Sequence, residues 1–264
     1  MKVITLITDF TDLDGYAGII KGVILGIDST IRIVDISHSI PAQDVSQAAW
    51  MLGRSAPYFP PGTVHVSVVD PGVGTSRRGI IAQLGGQVFV GPDNGLLTVL
   101  YQRAVAQGKA PRIFELQNNR YKLPSPSFSF HGRDVFAPAA AHFLAGVPME
   151  EFGKVVSDPV LLHLPKPLRT ENSLQGEVIH VDAFGNLAAN IYAHDLESSA
   201  NARIIIKNME IIGIKNTFGD SLQGELLAII DSFGHLSICV TNGSAAEKLG
   251  AGVGEAVRVT FLPV

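Results

Sequence analysis

Along the first 150 residues, short apolar runs alternate with stretches of helical period. Val3 to Ile7 is a β-rich run that meets an acid at once, at Thr8-Asp9. Residues 16–27 carry apolar side chains at helical spacing, with Asp14 available as a cap. Residues 31–36 read as a second strand, 44–53 as a helix capped by Asp44, and 63–69 as a third strand. That third strand is continuously apolar in its middle, as a strand buried on both faces is. Residues 78–90 read as a hairpin broken at Gly85-Gly86, 94–103 as a helix behind GPDNG, and 134–145 as a small-residue helix with Asp134 as its N-cap. Strands alternating with helices predict a mainly parallel sheet covered on both faces.

The stretch LHLPKPLRTENS, residues 162–173, breaks this rhythm with two prolines, charges and no apolar period. A domain boundary is expected there, giving an α/β domain over residues 1–163, a linker over 164–173 and a second domain over 174–264. Beyond the boundary the pattern is mostly strands, at 177–181, 202–206, 226–230, 236–240 and 256–262. Short strands with Gly and Asn/Asp turns predict a small β-barrel or sandwich. The expected fold class is thus an N-terminal, mainly parallel α/β sandwich followed by a small C-terminal β-barrel or sandwich.

Composition narrows the function classes. The chain has 264 residues, of which 46% are hydrophobic and 17% charged, so it suits buried strands or a subunit interface. A formal net charge of −4 gives no reason to expect a nucleic-acid partner. A single cysteine, Cys239, excludes an intrachain disulfide and a Cys-rich zinc site. No apolar run reaches the length of a membrane span. The N-terminus, MKVITLITDF, lacks the apolar region of a signal peptide, so a cytoplasmic location is expected.

Ligands of open α/β sheets bind beyond the carboxyl ends of the strands. Asp9, Asp35 and Asp70 fall at such ends. An isolated Asp in a loop is ordinarily a cap or turn former, and Asp35 is assigned that role. Asp9 and Asp70 belong to denser motifs. In SVVDPGVGTSRRGI, residues 67–80, an apolar strand ends on Asp70, winds through a glycine loop and returns with Arg77 and Arg78. In SFHGRDVFAP, residues 129–138, His131, Arg133 and Asp134 lie within four positions beside Gly132. Two further segments end strands on acids: VIHVDAFGNLAANI, residues 178–191, and IIDSFGHLSI, residues 229–238. Each reads either as a β-turn with Asx hydrogen bonding or as part of a nucleoside slot, with Phe184 for stacking and Asn186 for amide readout. No GxGxxG follows the first strand and no GxxxxGK[ST] occurs, which argues against a dinucleotide or an NTP. No His spacing suits a catalytic metal, and none is expected.

Taken together, TDF at 8–10, DPGVGT-x-RR at 70–78, GPDNGLL at 91–97, FHGRDVFAP at 130–138, DAFGN at 182–186 and SFGHLSI at 232–238 resemble the S-adenosyl-L-methionine (SAM) hydroxide adenosyltransferases. These are SAM hydrolases related more distantly to the fluorinase and chlorinase. The resemblance covers essentially the whole chain. It implies an α/β domain, a C-terminal β-barrel and a homotrimer with SAM bound between neighbouring subunits. It implies that a hydroxide-generating triad falls on Asp70, Arg77 and His131, with Asp9 on the ribose hydroxyls. Asp182 and Ser232 would lie at the methionine end and Asn186 at adenine. Tyr16 stands where the halogenases have a serine, and Phe233 where the fluorinase has an arginine.

Three departures from the halogenases point to water as nucleophile. Asp70 replaces a non-acidic residue, Gly132 replaces a halide-contacting serine, and the hairpin has only the short LGGQV. The expected reaction is displacement at C5′ of SAM, giving adenosine and L-methionine, with no cofactor because SAM is the substrate. Whether Asp70 or His131 takes the proton stays open at this level. The alternatives are a non-catalytic SAM or adenosine sensor, a SAM-dependent halogenase, and a metal-dependent nucleoside hydrolase using Asp9, Asp12 and Asp14.

Overall fold

The structure, a computed structural model, describes residues 1–196 and 202–261. The chain divides into two compact units, Met1–Leu162 and His163–Val264.

In the first unit the elements are β1 (Val3–Thr8), α1 (Tyr16–Ile27), β2 (Arg32–Ser37), α2 (Val45–Ser55), β3 (Val64–Val68), β4 (Gly79–Leu84), β5 (Gln87–Pro92), α3 (Thr98–Ala106), β6 (Arg112–Glu115) and α4 (Ala137–Leu144). Six strands form one sheet in the order β2-β1-β3-β5-β4-β6. Pairings among β2, β1, β3 and β5 are parallel, and those of β4 with β5 and β6 are antiparallel. The sheet is therefore mixed, its parallel half matching the expected α/β rhythm. Strand alternation splits the core into two layers. Ile4, Leu6, Val64, Val66 and Val68 pack on one face with Ile20, Ile24 and Phe136. Ile7, Ile80, Ala82 and Phe89 pack on the other with Leu52 and Leu100.

Helix starts differ from expectation where backbone geometry overrides side-chain type. Asp44 caps α2 as expected, accepting from the Gln47 N–H at 2.9 Å. Asp14 does not cap α1. Gly15, at φ 72°, is the N-cap, and no side chain caps the helix. The helix expected from Asn94 begins only at Thr98, because Gly95 at φ 97° interrupts it. β6 has no counterpart in the sequence reading.

In the second unit the strands are β7 (Leu168–Arg169), β8 (Ser173–Val181), β9 (Leu187–Tyr192), β10 (Ala202–Ile206), β11 (Met209–Ile212), β12 (Leu226–Ile230), β13 (His235–Val240) and β14 (Ala256–Phe261), with a short helix α5 (Ala245–Leu249). Leu262, expected at the end of the last strand, lies outside the described residues. The antiparallel order is β11-β10-β14-β8-β9-β13-β12. A bridge between Lys215 and Ile229 links the segment after β11 to β12, so the sheet curls nearly closed, as a barrel does. β7, inside the stretch expected as linker, pairs with β8. β9 and β11 were not anticipated.

Candidate active site

The first unit carries a cavity of about 600 Å³ at the carboxyl ends of β1 and β3. Its wall includes Asp9, Asp14, Asp70 and His131, with Phe10, Tyr16, Phe130 and Gly132. Among the described residues, no lysine or arginine belongs to that wall. The three rings pack edge to face, with centroids 5.2–5.7 Å apart.

The glycine loop after β3 turns back on itself through Val73 N–H to Asp70 O at 3.2 Å and Thr75 N–H to Gly72 O at 3.1 Å. Gly74 sits at φ 77°, and a Cβ there would lie 2.5 Å from the Phe128 carbonyl oxygen. Glycine is thus required twice over, by conformation and by close approach. The turn brings Arg77 back onto Asp70. Arg77 Nε donates to Asp70 Oδ1 at 2.9 Å, and Nη2 donates to Asp70 Oδ2. The same Nη2 lies 2.7 Å from His131 Nδ1. The guanidinium also stands 5.3 Å from the centroid of Phe136. Asp70, Arg77 and His131 therefore form one connected unit, with Arg77 behind the two residues that reach the wall.

This contact settles the histidine tautomer on chemical grounds. An arginine has only donors, so Nδ1 of His131 accepts, and the neutral ring carries its proton on Nε2. Burial and the Arg77 charge hold the His131 pKa below its ordinary 6.5, against the opposing pull of Asp70. At neutral pH the imidazole is an N–H donor.

The backbone around His131 is not the simple helix start expected. Gly132–Phe136 forms a π-helical turn leading into α4. Such turns concentrate at functional sites. Asp134, expected as an N-cap, is instead 2% exposed within that turn. It accepts from Ser127 N–H at 2.8 Å, Ser127 Oγ at 2.7 Å and Arg133 Nε at 2.6 Å.

Arg78 faces elsewhere. It pairs with Asp93 at 2.7 Å and Asp158 at 2.7 Å, so of the adjacent arginines only Arg77 joins Asp70 and His131. The GPDNG segment supports the site from behind, because Asn94 Nδ2 donates to the Val69 carbonyl at 2.9 Å, one residue before Asp70. Asp35 pairs with Lys21 at 2.5 Å and His38 at 3.2 Å. Asp9 takes the Gln43 N–H on Oδ2 at 2.9 Å while lining the cavity. Gln43 was missed as a wall residue, and so was the packing of Phe10, Tyr16 and Phe130 into one ring cluster. The only signal for the rings was their placement beside motif acids in a chain with 7% aromatics.

Asp182, Phe184, Asn186, Ser232 and Phe233 lie in the second unit and do not line this cavity. Their two turns repeat one hydrogen-bond pattern. Asp182 Oδ1 accepts from Phe184 N–H and Asn186 N–H, both at 2.9 Å. Asp231 Oδ1 accepts from Phe233 N–H at 2.8 Å and His235 N–H at 3.0 Å. Asn186 Nδ2 also donates to Asp182 Oδ2 at 2.8 Å. Both are Asx-stabilised turns, and each lifts its phenylalanine outward, Phe184 to 77% and Phe233 to 41% exposure. They sit at opposite ends of β9, which pairs with β13 from Leu187↔Ile238 to Tyr192↔His235.

Among the described residues, no three His, Cys, Asp or Glu side chains group to hold a metal ion. Among the same residues no helix is long and apolar enough to cross a membrane.

With this geometry in place, known proteins supply the context. The family model described as SAM hydroxide adenosyltransferase N-terminal domain matches residues 4–153, and that of the C-terminal domain matches residues 176–258. The chain belongs to the SAM hydroxide adenosyltransferase family. It is 38% identical over 259 residues to the (R)-S-adenosyl-L-methionine hydrolase of Salinispora tropica, covering 97% of each chain. It is 36% identical to the hydrolase of the same name from Thermus thermophilus, covering 98% of this chain and 100% of that one. The fluorinase of Actinoplanes sp. is more distant, at 26% identity over 98% of this chain and 97% of its own. In structure the chain resembles an uncharacterized conserved protein from Thermotoga maritima, with TM-score 0.89 and 37% identity over 97% of this chain and 99% of that one.

Proposed function

We propose that the protein hydrolyses SAM to adenosine and L-methionine by attack of water at C5′. The observation that carries this reading is the Asp70–Arg77–His131 unit at the cavity wall, in a chain whose full-length relatives are named SAM hydrolases. As the water oxygen bonds C5′, the C5′–S bond breaks and its electron pair returns to sulfur, leaving neutral methionine. The leaving group needs no acid because the sulfonium loses its charge on departure. Catalysis therefore falls on the nucleophile, since bulk water has a pKa of about 15.7.

The tautomer divides the work. Nε2–H of His131 donates to the attacking oxygen, stabilising the charge that develops there. Asp70 takes the proton, because its oxygens keep lone pairs beyond those bonded to Arg77. Arg77 holds the imidazole tautomer and the carboxylate together with one rigid fork. Asp9 holds the ribose hydroxyls, Asn186 reads adenine, and Asp182, Ser232 and Phe233 serve the methionine end, with Phe184 stacking. An ¹⁸O-water experiment tests the reaction: label belongs in adenosine. Label in neither product, or release of methylthioadenosine or S-adenosylhomocysteine, would sink it.

The active assembly in this proposal is a cytoplasmic homotrimer with SAM bound between neighbouring subunits. Supporting it, the outward side of α1 exposes Ile19 and Leu25, an apolar face that suits a subunit contact. Light scattering tests the trimer, and a fully active monomer at assay concentration contradicts it.

A further inference from the structure

We propose that Asp134 and Ser127 are positioning residues for the reaction: they shape the loop that carries Phe130 and His131 and hold the imidazole on Arg77. The role of that imidazole rests on the function proposed above.

The loop from Leu123 to Phe130 folds around Asp134. Leu123 N–H donates to the Asp134 carbonyl at 2.9 Å, and the N–H groups of Arg133 and Asp134 both donate to the Phe130 carbonyl at 3.1 Å. Ser127 is the link between carboxylate and loop. Its Oγ donates to Asp134 Oδ2 and accepts from Phe130 N–H at 3.1 Å, one residue before His131. Arg133, held by both Asp134 oxygens, stands over the Phe130 ring at 5.2 Å from its centroid. One buried carboxylate thus sets a cavity-wall ring on one side and the approach to His131 on the other.

The same loop meets the glycine loop. The Phe128 carbonyl occupies the space a Cβ on Gly74 would need. A shift of the Ser127 segment would therefore disturb the turn that returns Arg77 to Asp70. The linkage is also electrostatic. Burial raises the Asp134 pKa, but hydrogen bonds from Arg133 and Ser127 outweigh it and keep the carboxyl below its ordinary value. The charged groups bearing on His131 are Arg77 and Lys122, which favour the neutral ring, and Asp70 and Asp134, which favour the cation. Asp9, Asp14 and Tyr16 share its cavity wall.

The test uses full-length Asp134→Asn and Ser127→Ala, read by steady-state kinetics on SAM and by NMR titration of the His131 ring without substrate. In Asp134→Asn, kcat should fall, by up to about 10²-fold as for a misplaced reacting group, with KM changing far less. The His131 midpoint should move to lower pH, because the Asp134 charge that favours the cation is lost. Ser127→Ala should lower kcat in the same way by a smaller factor, and it decides the matter if Asp134→Asn fails to fold. A purely structural role would lower thermal stability and leave kcat per folded molecule unchanged in both proteins, and the His131 titration unchanged in Ser127→Ala, where the Asp134 charge remains; that result would overturn the proposal. Absence of adenosine from the wild-type protein would instead refute the functional reading, and the His131 titration would still report on the positioning.

Discussion

Replacing His131 with Ala cannot by itself separate two roles for the ring. Losing a donor to a developing oxyanion costs about 10²–10³-fold, and losing a general base costs about 10²–10⁴-fold. The ranges overlap. His131→Gln separates them, because a glutamine amide offers an N–H near the place of imidazole Nε2 but takes no proton at neutral pH. The structure puts Arg77 Nη2 2.7 Å from Nδ1, so the wild-type ring, on the cavity wall, keeps its proton on Nε2. On that geometry His131→Gln should keep turnover within roughly 10-fold of wild type, while His131→Ala loses roughly 10²-fold or more. The lost acceptor for Arg77 accounts for the residual deficit. The assay is adenosine release under single-turnover conditions, beside SAM affinity by calorimetry in the same preparations. Equal loss in the Gln and Ala proteins, with SAM still bound, would refute the donor assignment and make His131 the base.

Three further outcomes follow from particular contacts. Gly74→Ala forces a Cβ to within 2.5 Å of the Phe128 carbonyl at φ 77°, so it should lower stability by at least about 1–3 kcal/mol in denaturant unfolding and reduce turnover with it. His65, fully buried beside Thr5 and Gln87, has its pKa pushed down to about 4 by burial. The unfolded chain therefore binds the extra proton first, so this contribution is whole above pH 6.5 and is lost as pH falls toward 4. At about 1.4 kcal/mol per pKa unit, a loss of about 3 kcal/mol between neutral pH and pH 4 is expected, and it should be absent in His65→Gln. With the Asp70 carboxylate on the cavity wall, chloride or fluoride at moderate salt should yield no 5′-halo-adenosine by chromatography.

Much of the fold was legible in the chain because local rules suffice where hydrophobic period and turn chemistry agree. The alternation from β1 to β5 is written in apolar runs bounded by Gly, Pro and Asp, and the Asp44 cap of α2 needs only neighbouring residues. β6, β9 and β11 were not legible. A short strand is held by its partner's backbone: β6 by β4, β11 by β10, and β9 by β8 and β13. The π-helical turn at Gly132–Phe136 escaped for a similar reason, since it depends on how the Ser127 loop folds around Asp134.

The chain alone also singled out Asp9, Asp70, the Arg77–Arg78 pair and His131 as candidates, because dense polar residues between an apolar strand and a glycine loop have few purely structural explanations. It left undecided which of two adjacent arginines faces Asp70, and which nitrogen of His131 holds the proton. Arg77 and Arg78 are chemically identical, and only the turn at Gly72 and Gly74 sends one to Asp70 and the other to Asp93. The tautomer follows from a donor 54 residues away in sequence. Residue type sets what a side chain can do. Its partner is chosen by distance in space, which the tertiary fold alone determines.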